Sequence, residues 1–183
     1  MTPTTATAVD ALEAEIRRVI RDIPDFPKPG IIFKDITPLL ADAALFRRAT
    51  AAMAEPFAAS GVTHVVAIES RGFLLGAPVA LALNAALVPV RKPGKLPSAT
   101  ASVEYALEYG TDTLEIHADA CDHRARVLIV DDVLATGGTA TAAGELVRGR
   151  RAEVVGYSFL MTLSFLPGEN RLSGSRVHRL VRY

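Results

Sequence analysis

One segment carries much of the information in this chain: Val127-Leu-Ile-Val-Asp-Asp-Val-Leu-Ala-Thr-Gly-Gly-Thr139. Its first four residues are apolar, and three of them are β-branched. They predict a strand over 127–130 that is covered on both faces, as in a parallel α/β sheet. Two acids and a loop of small residues follow, and a helix is expected over 139–147. This order is typical of a ligand site at the carboxyl end of a strand.

The small residues of the loop over 135–139 favour a phosphate site. An alanine and two glycines allow the backbone N–H groups to approach an anion closely, and two threonines add hydroxyl donors. The positive end of the following helix dipole points at the same anion. Asp131 and Asp132, just upstream, can accept hydrogen bonds from neighbouring sugar hydroxyls. Phosphate and diol together describe a ribose 5-phosphate.

Other interpretations of this segment fit less well. A P-loop NTPase requires G-x-x-x-x-G-K-[ST] and a dinucleotide site requires G-x-G-x-x-G, and neither motif occurs in the chain. The remaining alternative is an ordinary strand-to-helix turn capped by aspartate. Such a turn does not require two acids followed by Thr-Gly-Gly-Thr, so the pattern favours a binding site.

Strands alternate with helices along most of the chain, which predicts an α/β fold with a mainly parallel sheet flanked by helices. Asp10 and Asp42 are predicted to cap two N-terminal helices, with a proline-rich loop over 26–38 between them and a frayed tail over 1–9. An exposed hairpin is expected over 102–116. The other predicted elements are strands at 62–68, 87–90, 154–163 and 177–183 and a helix at 73–83.

Composition limits the possible functions. A length of 183 residues, 50% hydrophobic and 22% charged, predicts one soluble domain over 1–183. Lysine plus arginine equals aspartate plus glutamate at 20 each, so no net field draws the chain to nucleic acid or to an anionic membrane. The single cysteine, Cys121, fits a reducing cytoplasm. We expect no signal peptide and no membrane span.

A second loop, Glu69-Ser-Arg-Gly72, follows the strand at 62–68. Loops after parallel strands lie at the same edge of a sheet, so we expect this loop to face Asp131 and Asp132. Arg71 can fork onto a pyrophosphate, and Lys92 and Lys95 can add charge, although simple solvation remains the alternative for each lysine.

The Asp131 segment resembles the 5-phosphoribosyl diphosphate (PRPP) motif of the type I phosphoribosyltransferases. Further blocks, spread over nearly the whole chain, are similar to the adenine phosphoribosyltransferase family. These blocks are Phe26-Pro-Lys-Pro-Gly30, Phe33-Lys-Asp-Ile-Thr-Pro38, Glu69-Ser-Arg-Gly-Phe73, Arg91-Lys-Pro-Gly-Lys-Leu-Pro97 and Leu107-Glu-Tyr-Gly110.

The resemblance implies an enzyme of purine salvage that converts adenine and PRPP to AMP and pyrophosphate. It implies Mg²⁺ held mainly through PRPP or pyrophosphate, with no direct protein ligand expected. Glu108 is implied as the acid/base group near N7 of adenine, and Arg71 borders both pyrophosphate and base. The implied substrate-binding residues are Asp131, Asp132, Ala135, Thr136, Gly137, Gly138, Thr139, Lys92, Lys95, Tyr109, Ile32, Phe33, Lys34 and Leu163.

The same resemblance implies a type I phosphoribosyltransferase fold with a flexible β-hairpin lid, a small base-binding hood, a homodimer and a cytoplasmic location. Two alternatives stay open. One is a transferase for hypoxanthine, guanine or xanthine, which would share the PRPP half of the site. The other is a PRPP-sensing regulator without catalysis, which the zero net charge and the short segment before the proline-rich loop disfavour.

Overall fold

The computed structural model describes residues 5–106 and 110–183, with side chains from residue 10 onward. The chain forms two compact units, Met1–Thr50 and Ala51–Tyr183. The prediction of one domain over 1–183 concerns the arrangement of these units and stays a prediction.

The first unit contains helices and two strands. They are α1 (Thr5–Val19), β1 (Arg21–Pro24), β2 (Ile32–Asp35), α2 (Thr37–Ala41) and the start of α3 (Ala43–Ala54). β1 and β2 pair antiparallel. Asp42 accepts hydrogen bonds from the amides of Ala44 and Leu45, both at 3.0 Å, so it caps α3 as predicted.

Two predictions for this unit are wrong. Asp10 does not cap α1, because it lies inside that helix, which begins at Thr5. The tail over 1–9 stays a prediction. The alternation of threonine with alanine, the strongest helix former, allows this earlier start. The segment 26–38 is not a loop throughout, because β2 lies within it and takes its backbone hydrogen bonds from β1.

The second unit contains the central sheet. Its elements are a 3-10 turn (Glu55–Phe57), β3 (His64–Ile68), α4 (Arg71–Leu83), β4 (Ala86–Val90), β5 (Thr100–Ala106), β6 (Thr111–His117), β7 (Arg126–Leu134), α5 (Gly138–Gly149), β8 (Glu153–Thr162), α6 (Gly168–Arg171) and β9 (Val177–Arg182). Five strands pair in parallel in the order β4-β3-β7-β8-β9. This sheet confirms the predicted fold class.

The middle of the sheet positions the site. β3 and β7 are neighbours, so their carboxyl ends, and the starts of α4 and α5 that follow them, lie at one edge. Gly76 allows α4 to lie close to β3, because a Cβ there would come within 2.6 Å of the Cβ of Ala67. Val127 and Ile129 are fully buried behind the site. Within the described part of the chain, no helix is both long and apolar enough to cross a membrane.

The hairpin of β5 and β6 differs from the exposed pair that the sequence predicts. Leu114 and Ile116 of β6 are fully buried in the main core, and Val103 and Tyr105 of β5 pack against it. The alternating pattern of the two strands therefore reflects one face on the core and one in solvent. The hairpin thus has a fixed base beside the central sheet.

Candidate active site

A cleft of about 320 Å³ opens at the carboxyl ends of β3 and β7. It is lined by residues from four parts of the second unit, which are the end of β3 with the start of α4, the turn after β4, the hairpin, and β7 with the start of α5. These lining residues are Glu69, Ser70, Arg71, Lys92, Leu114, Asp131, Asp132, Val133, Leu134, Ala135, Thr136, Gly137, Thr139 and Ala140.

The loop between β7 and α5 presents unused donors. Among the described residues, the amides of 136–139 donate no backbone hydrogen bond, whereas the amide of Thr141 donates to the carbonyl of Gly137 at 2.9 Å. Gly137 has φ +83°, in the left-handed region that favours glycine. Within the described part of the chain, the loop and the first turn of α5 therefore present a group of N–H donors of the kind that binds anions.

Both aspartates lie within β7, which runs to Leu134 instead of ending at 130 as predicted. Ladder bonds to β8 continue past the acids and hold their backbone rigidly. The Asp132 side chain is buried, and its Oδ2 accepts a hydrogen bond from Nε of Arg71. This ion pair joins β7 to the first residue of α4 and confirms that the two loops face each other.

Asp131 occupies a different environment. Its Oδ1 accepts from the amide of Asp132 at 2.8 Å, and a Cβ on Gly72 would lie only 2.9 Å from that oxygen. Burial, and then the charge of Asp132, raise the pKa of Asp131 well above its usual value, with Arg71 opposing this. A raised pKa at a cleft is typical of a functional carboxylate.

The cations at the other side of the cleft are paired with acids. Nε of Arg91 donates to Oε2 of Glu69 at 2.8 Å. The Lys92 ammonium donates to Oδ2 of Asp112, and to the Tyr105 hydroxyl at 3.1 Å. The hydrogen bond from Lys92 holds the pKa of Asp112 below its usual value.

The Tyr105 hydroxyl also links this cluster to the opposite wall. Oγ1 of Thr139, in the first turn of α5, donates to that hydroxyl at 3.5 Å. Asp112 and Tyr105 are direct partners across the hairpin. Sequence reasoning missed both residues as part of the site, because it predicted the hairpin without fixing the register that makes Tyr105 and Asp112 partners.

The predicted residues differ in how the structure treats them. Lys95 is exposed and does not line the cleft among the described residues, though its carbonyl accepts from Arg91 at 3.1 Å. The amide of Leu163 donates to the carbonyl of Leu134 at 3.0 Å, which places Leu163 beside the loop over 135–139. We call this segment the phosphate loop, after the ligand that the sequence predicts for it. Glu108 and Tyr109 lie outside the described residues.

The predicted base-binding residues Ile32, Phe33 and Lys34 belong to the first unit. They form β2, whose Phe33 ring meets the Phe26 ring edge-on at 5.1 Å. Ile32 is exposed, and Lys34 forms an ion pair with Asp22 at 2.6 Å. Their proximity to the cleft stays a prediction.

Comparison with known proteins identifies the family. The family described as "Phosphoribosyl transferase domain" matches residues 36–164. An adenine phosphoribosyltransferase of Myxococcus xanthus is 57% identical over 172 residues, 94% of each chain. The chain belongs to the phosphoribosyltransferase family, within its adenine phosphoribosyltransferase group.

Solved adenine phosphoribosyltransferases share the fold. The enzyme of Rhodothermus marinus is 50% identical with a TM-score of 0.91, covering 98% of this chain and 100% of its own. The Saccharomyces cerevisiae enzyme, solved with an imino-altritol bisphosphate and adenine, is 40% identical with a TM-score of 0.87, covering 93% and 99%. These matches confirm the family and the fold predicted from the motifs.

Proposed function

We propose that this phosphoribosyltransferase transfers the 5-phosphoribosyl group of PRPP to adenine, giving AMP and pyrophosphate. One observation supports this most strongly: a single cleft is lined by the loop over 135–139, by the neighbouring acids Asp131 and Asp132, and by the cations Arg71 and Lys92. PRPP needs that arrangement because it carries a phosphate, a diol and a diphosphate along one molecule.

Each part of PRPP has a partner in this proposal. The amides and hydroxyls of residues 135–139 hold the 5-phosphate, because the amides of 136–139 donate no backbone hydrogen bond among the described residues and lie at a helix N-terminus. Asp131 and Asp132 accept from the ribose hydroxyls. Arg71 and Lys92 face the diphosphate, and Lys95 joins them if the turn after β4 bends inward.

The reaction requires stabilisation of a leaving group. The C1–O bond to diphosphate breaks, the bond from C1 to N9 of adenine forms, and the ring proton of adenine is released. Positive charge develops on the ribose while the diphosphate departs, so cations at the leaving group lower the barrier more than a strong nucleophile would. Glu108 accepts or returns a proton near N7 in this scheme, a role that rests on the family resemblance.

Mg²⁺ fits the chemistry of the donors in the cleft. It prefers oxygen ligands and keeps waters, so the oxygens of the diphosphate would supply most of its ligands, and carboxylates such as that of Glu69 also line the cleft. When bound through the diphosphate oxygens, the ion supplies positive charge for the leaving group. Arg71 and Lys92 orient the same oxygens from the protein side.

The base half of the site is proposed to take adenine in preference to other purines. Ile32, Phe33, Lys34 and Leu163 would form the pocket, as a small hood over the base. Adenine is the base in the yeast relative, which supports this choice over hypoxanthine, guanine or xanthine. The hairpin that carries Glu108 and Tyr109 would close as a lid, because the reactive ribosyl centre must be kept from water.

We also propose a homodimer in the cytoplasm. Leu74 and Leu81 on α4 are 49% and 82% exposed, and Leu87 on the neighbouring edge strand is 44% exposed. Such an apolar face on α4 and β4 suits a second copy of the chain. Cys121 is buried and free, and burial raises the pKa of its thiol, which suits a reducing compartment.

A product assay with radiolabelled adenine tests the function. We expect labelled AMP only when PRPP and Mg²⁺ are both present, and a much lower rate with labelled hypoxanthine. A higher rate with hypoxanthine than with adenine would mean that the enzyme prefers another purine. Binding of PRPP without any nucleotide product would instead favour the regulator.

A further inference from the structure

A short turn after β8 lies against the phosphate loop. It consists of Pro167 and α6 and ends at Leu172, far along the chain from the loop over 135–139. Gly168, the first residue of α6, is buried. A Cβ at Gly168 would overlap the carbonyl oxygen of Ala135, and it would lie 3.1 Å from the carbonyl carbon of that residue. The obstacle is backbone, so it cannot move aside as a flexible side chain would.

The contact is reciprocal. A Cβ at Gly137 would lie 3.0 Å from both the Cα and the carbonyl oxygen of Gly168. The two glycines therefore face each other, one in the phosphate loop and one in α6. Real Cβ atoms rarely approach backbone this closely, so this spacing requires glycine on both sides.

The turn is itself anchored by contacts other than those with the phosphate loop. Leu172 is buried in the main core at 4% exposure. Glu169 forms ion pairs with two arginines of β9, with Arg179 at 2.9 Å and Arg182 at 3.2 Å. A turn fixed in this way cannot retreat freely if its neighbour grows, so strain at the contact would pass to the phosphate loop.

We propose that Gly168 is a positioning residue that sets the shape of the phosphate loop from outside it. This inference rests on the proposed function, in which residues 135–139 hold the 5-phosphate. Gly168 touches no substrate. It acts by allowing the carbonyl of Ala135 to sit where the following amides point into the cleft together, because a nest of amides binds phosphate only when its donors converge.

Gly168→Ala tests the inference by its selectivity among ligands. The added methyl group should push the carbonyl of Ala135 and misalign the amides, so we expect the Kd of AMP and of ribose 5-phosphate to rise roughly 10-fold, about 1.4 kcal/mol. The Kd of magnesium pyrophosphate should stay within twofold, because Arg71 and Lys92 are not displaced. Titration calorimetry on the full chain measures all three, and it reports affinity for the folded fraction only.

Gly149→Ala is the matched control. Gly149 ends α5 and has no positive φ, and a methyl group added there would meet no atom within 4 Å. Its substitution should leave all three affinities unchanged. If Gly168→Ala binds AMP as well as wild type, or loses AMP and pyrophosphate equally, the inference is wrong. If wild type itself binds no AMP, the proposed function fails instead.

A second variant covers the case in which Gly168→Ala does not fold. Pro167 is exposed, so Pro167→Gly should fold normally while it loosens the entry into α6. We expect the Kd of AMP to rise about threefold, with pyrophosphate unchanged. Unchanged AMP affinity in a folded Pro167→Gly protein, with Gly168→Ala insoluble, would overturn the proposal.

Discussion

The two ends of the cleft present different chemical groups, backbone amides at one end and charged side chains at the other. The phosphate end, to which we assign the 5-phosphate, consists of backbone amides over 136–139, held by the close contact of Gly137 with Gly168. The diphosphate end, to which we assign the leaving group, consists of long side chains, and Arg71, Arg91 and Lys92 are each bound to a carboxylate. A rigid backbone nest suits a group that stays bound in substrate and product. Side chains that can exchange partners suit a group that leaves.

This difference affects how each end responds to a ligand. At the phosphate end the amides of 136–139 have no backbone acceptor among residues 5–106 and 110–183, so binding there adds hydrogen bonds without breaking these protein contacts. At the diphosphate end the ammonium of Lys92 already has two acceptors, the carboxylate of Asp112 and the hydroxyl of Tyr105, which leaves one N–H for a ligand. The hairpin therefore orients Lys92 before the diphosphate arrives.

The largest expected effect is on kcat, and it should leave the binding of PRPP at both ends of the cleft unchanged. Glu108→Gln should lower kcat roughly 100-fold, the usual size for a lost proton-transfer group, while the affinity for PRPP stays within twofold. Rapid-quench turnover and PRPP titration measure the two quantities. The control is Glu104→Gln, an exposed glutamate of β5 in the same hairpin, which should behave as wild type. An unchanged kcat would remove Glu108 from the chemistry.

The second prediction concerns a substitution that should distort the phosphate end. Gly137→Ala forces alanine into a left-handed conformation against Gly168, so we expect AMP affinity to fall by about 2 kcal/mol, or roughly 30-fold. Calorimetry with AMP measures this loss, and magnesium pyrophosphate should bind as before.

The control for that variant separates conformation from contact. Gly174→Ala carries the same conformational penalty, since Gly174 has φ +81°, but a Cβ added there would meet no atom within 4 Å. It should lower the melting temperature slightly and leave AMP affinity unchanged. Equal losses of AMP affinity in the two variants would mean that the contact with Gly168 is irrelevant.

The sequence predicts the phosphate end better than the diphosphate end. The loop over 135–139 lies on a contiguous motif whose glycines and threonines have local physical causes, and the structure keeps its amides free. The extension of β7 through Asp131 and Asp132 could not be predicted, because strand length there depends on pairing with β8. The hydrophobic pattern of one strand does not show how far the neighbouring strand pairs with it.

The contacts that sequence reasoning missed are all non-local. Gly168 is separated from the motif by α5 and β8, and no local signal distinguishes it from an ordinary turn glycine. Lys92 is predicted as a pyrophosphate ligand, but its carboxylate partner depends on how the hairpin docks on the core through Leu114 and Ile116. The apolar alternation of the hairpin is visible in the sequence, but it does not show that this face packs on the core of the central sheet.

The third prediction concerns the diphosphate end. Lys92→Met should weaken pyrophosphate binding roughly 10-fold, because a charge-assisted contact is lost. Asp112→Asn should weaken it about threefold, since Lys92 loses orientation but keeps its charge. If Asp112 acts through Lys92, the double variant should bind no worse than Lys92→Met alone.

Calorimetry with pyrophosphate on wild type, the two single variants and the double variant completes this double-mutant cycle. AMP is the control ligand, and its affinity should be the same in all four proteins. Asp112→Glu, which keeps the charge, should recover part of the affinity. Additive losses would mean that Asp112 acts independently of Lys92. Tighter pyrophosphate binding by Asp112→Asn would mean that the carboxylate competes with the ligand for Lys92.

The smallest effect is one of stability, and it lies between the two ends at Asp131. Its pKa is raised from the usual 3.8 by burial and by Asp132, so the native state holds this proton to higher pH than the unfolded state does. Between the two pKa values the native state binds more protons, and stability falls as pH rises. The variant Asp131→Asn has no carboxyl group to ionise at this position, so its stability should not fall with pH for this reason. We expect the variant and wild type to melt at similar temperatures near pH 4, and the variant to melt higher as the pH approaches about 8.

Melting curves by circular dichroism between about pH 4 and 8 measure this difference, and PRPP binding measured on the same samples should be weaker in the variant. A residue that lowers stability when ionised and yet is needed for the ligand is a residue retained for function. A wild type that is more stable than Asp131→Asn at the upper end of this range would contradict this reasoning. It would mean that Arg71 and the amide of Asp132 stabilise the ionised carboxylate more than burial and the charge of Asp132 destabilise it.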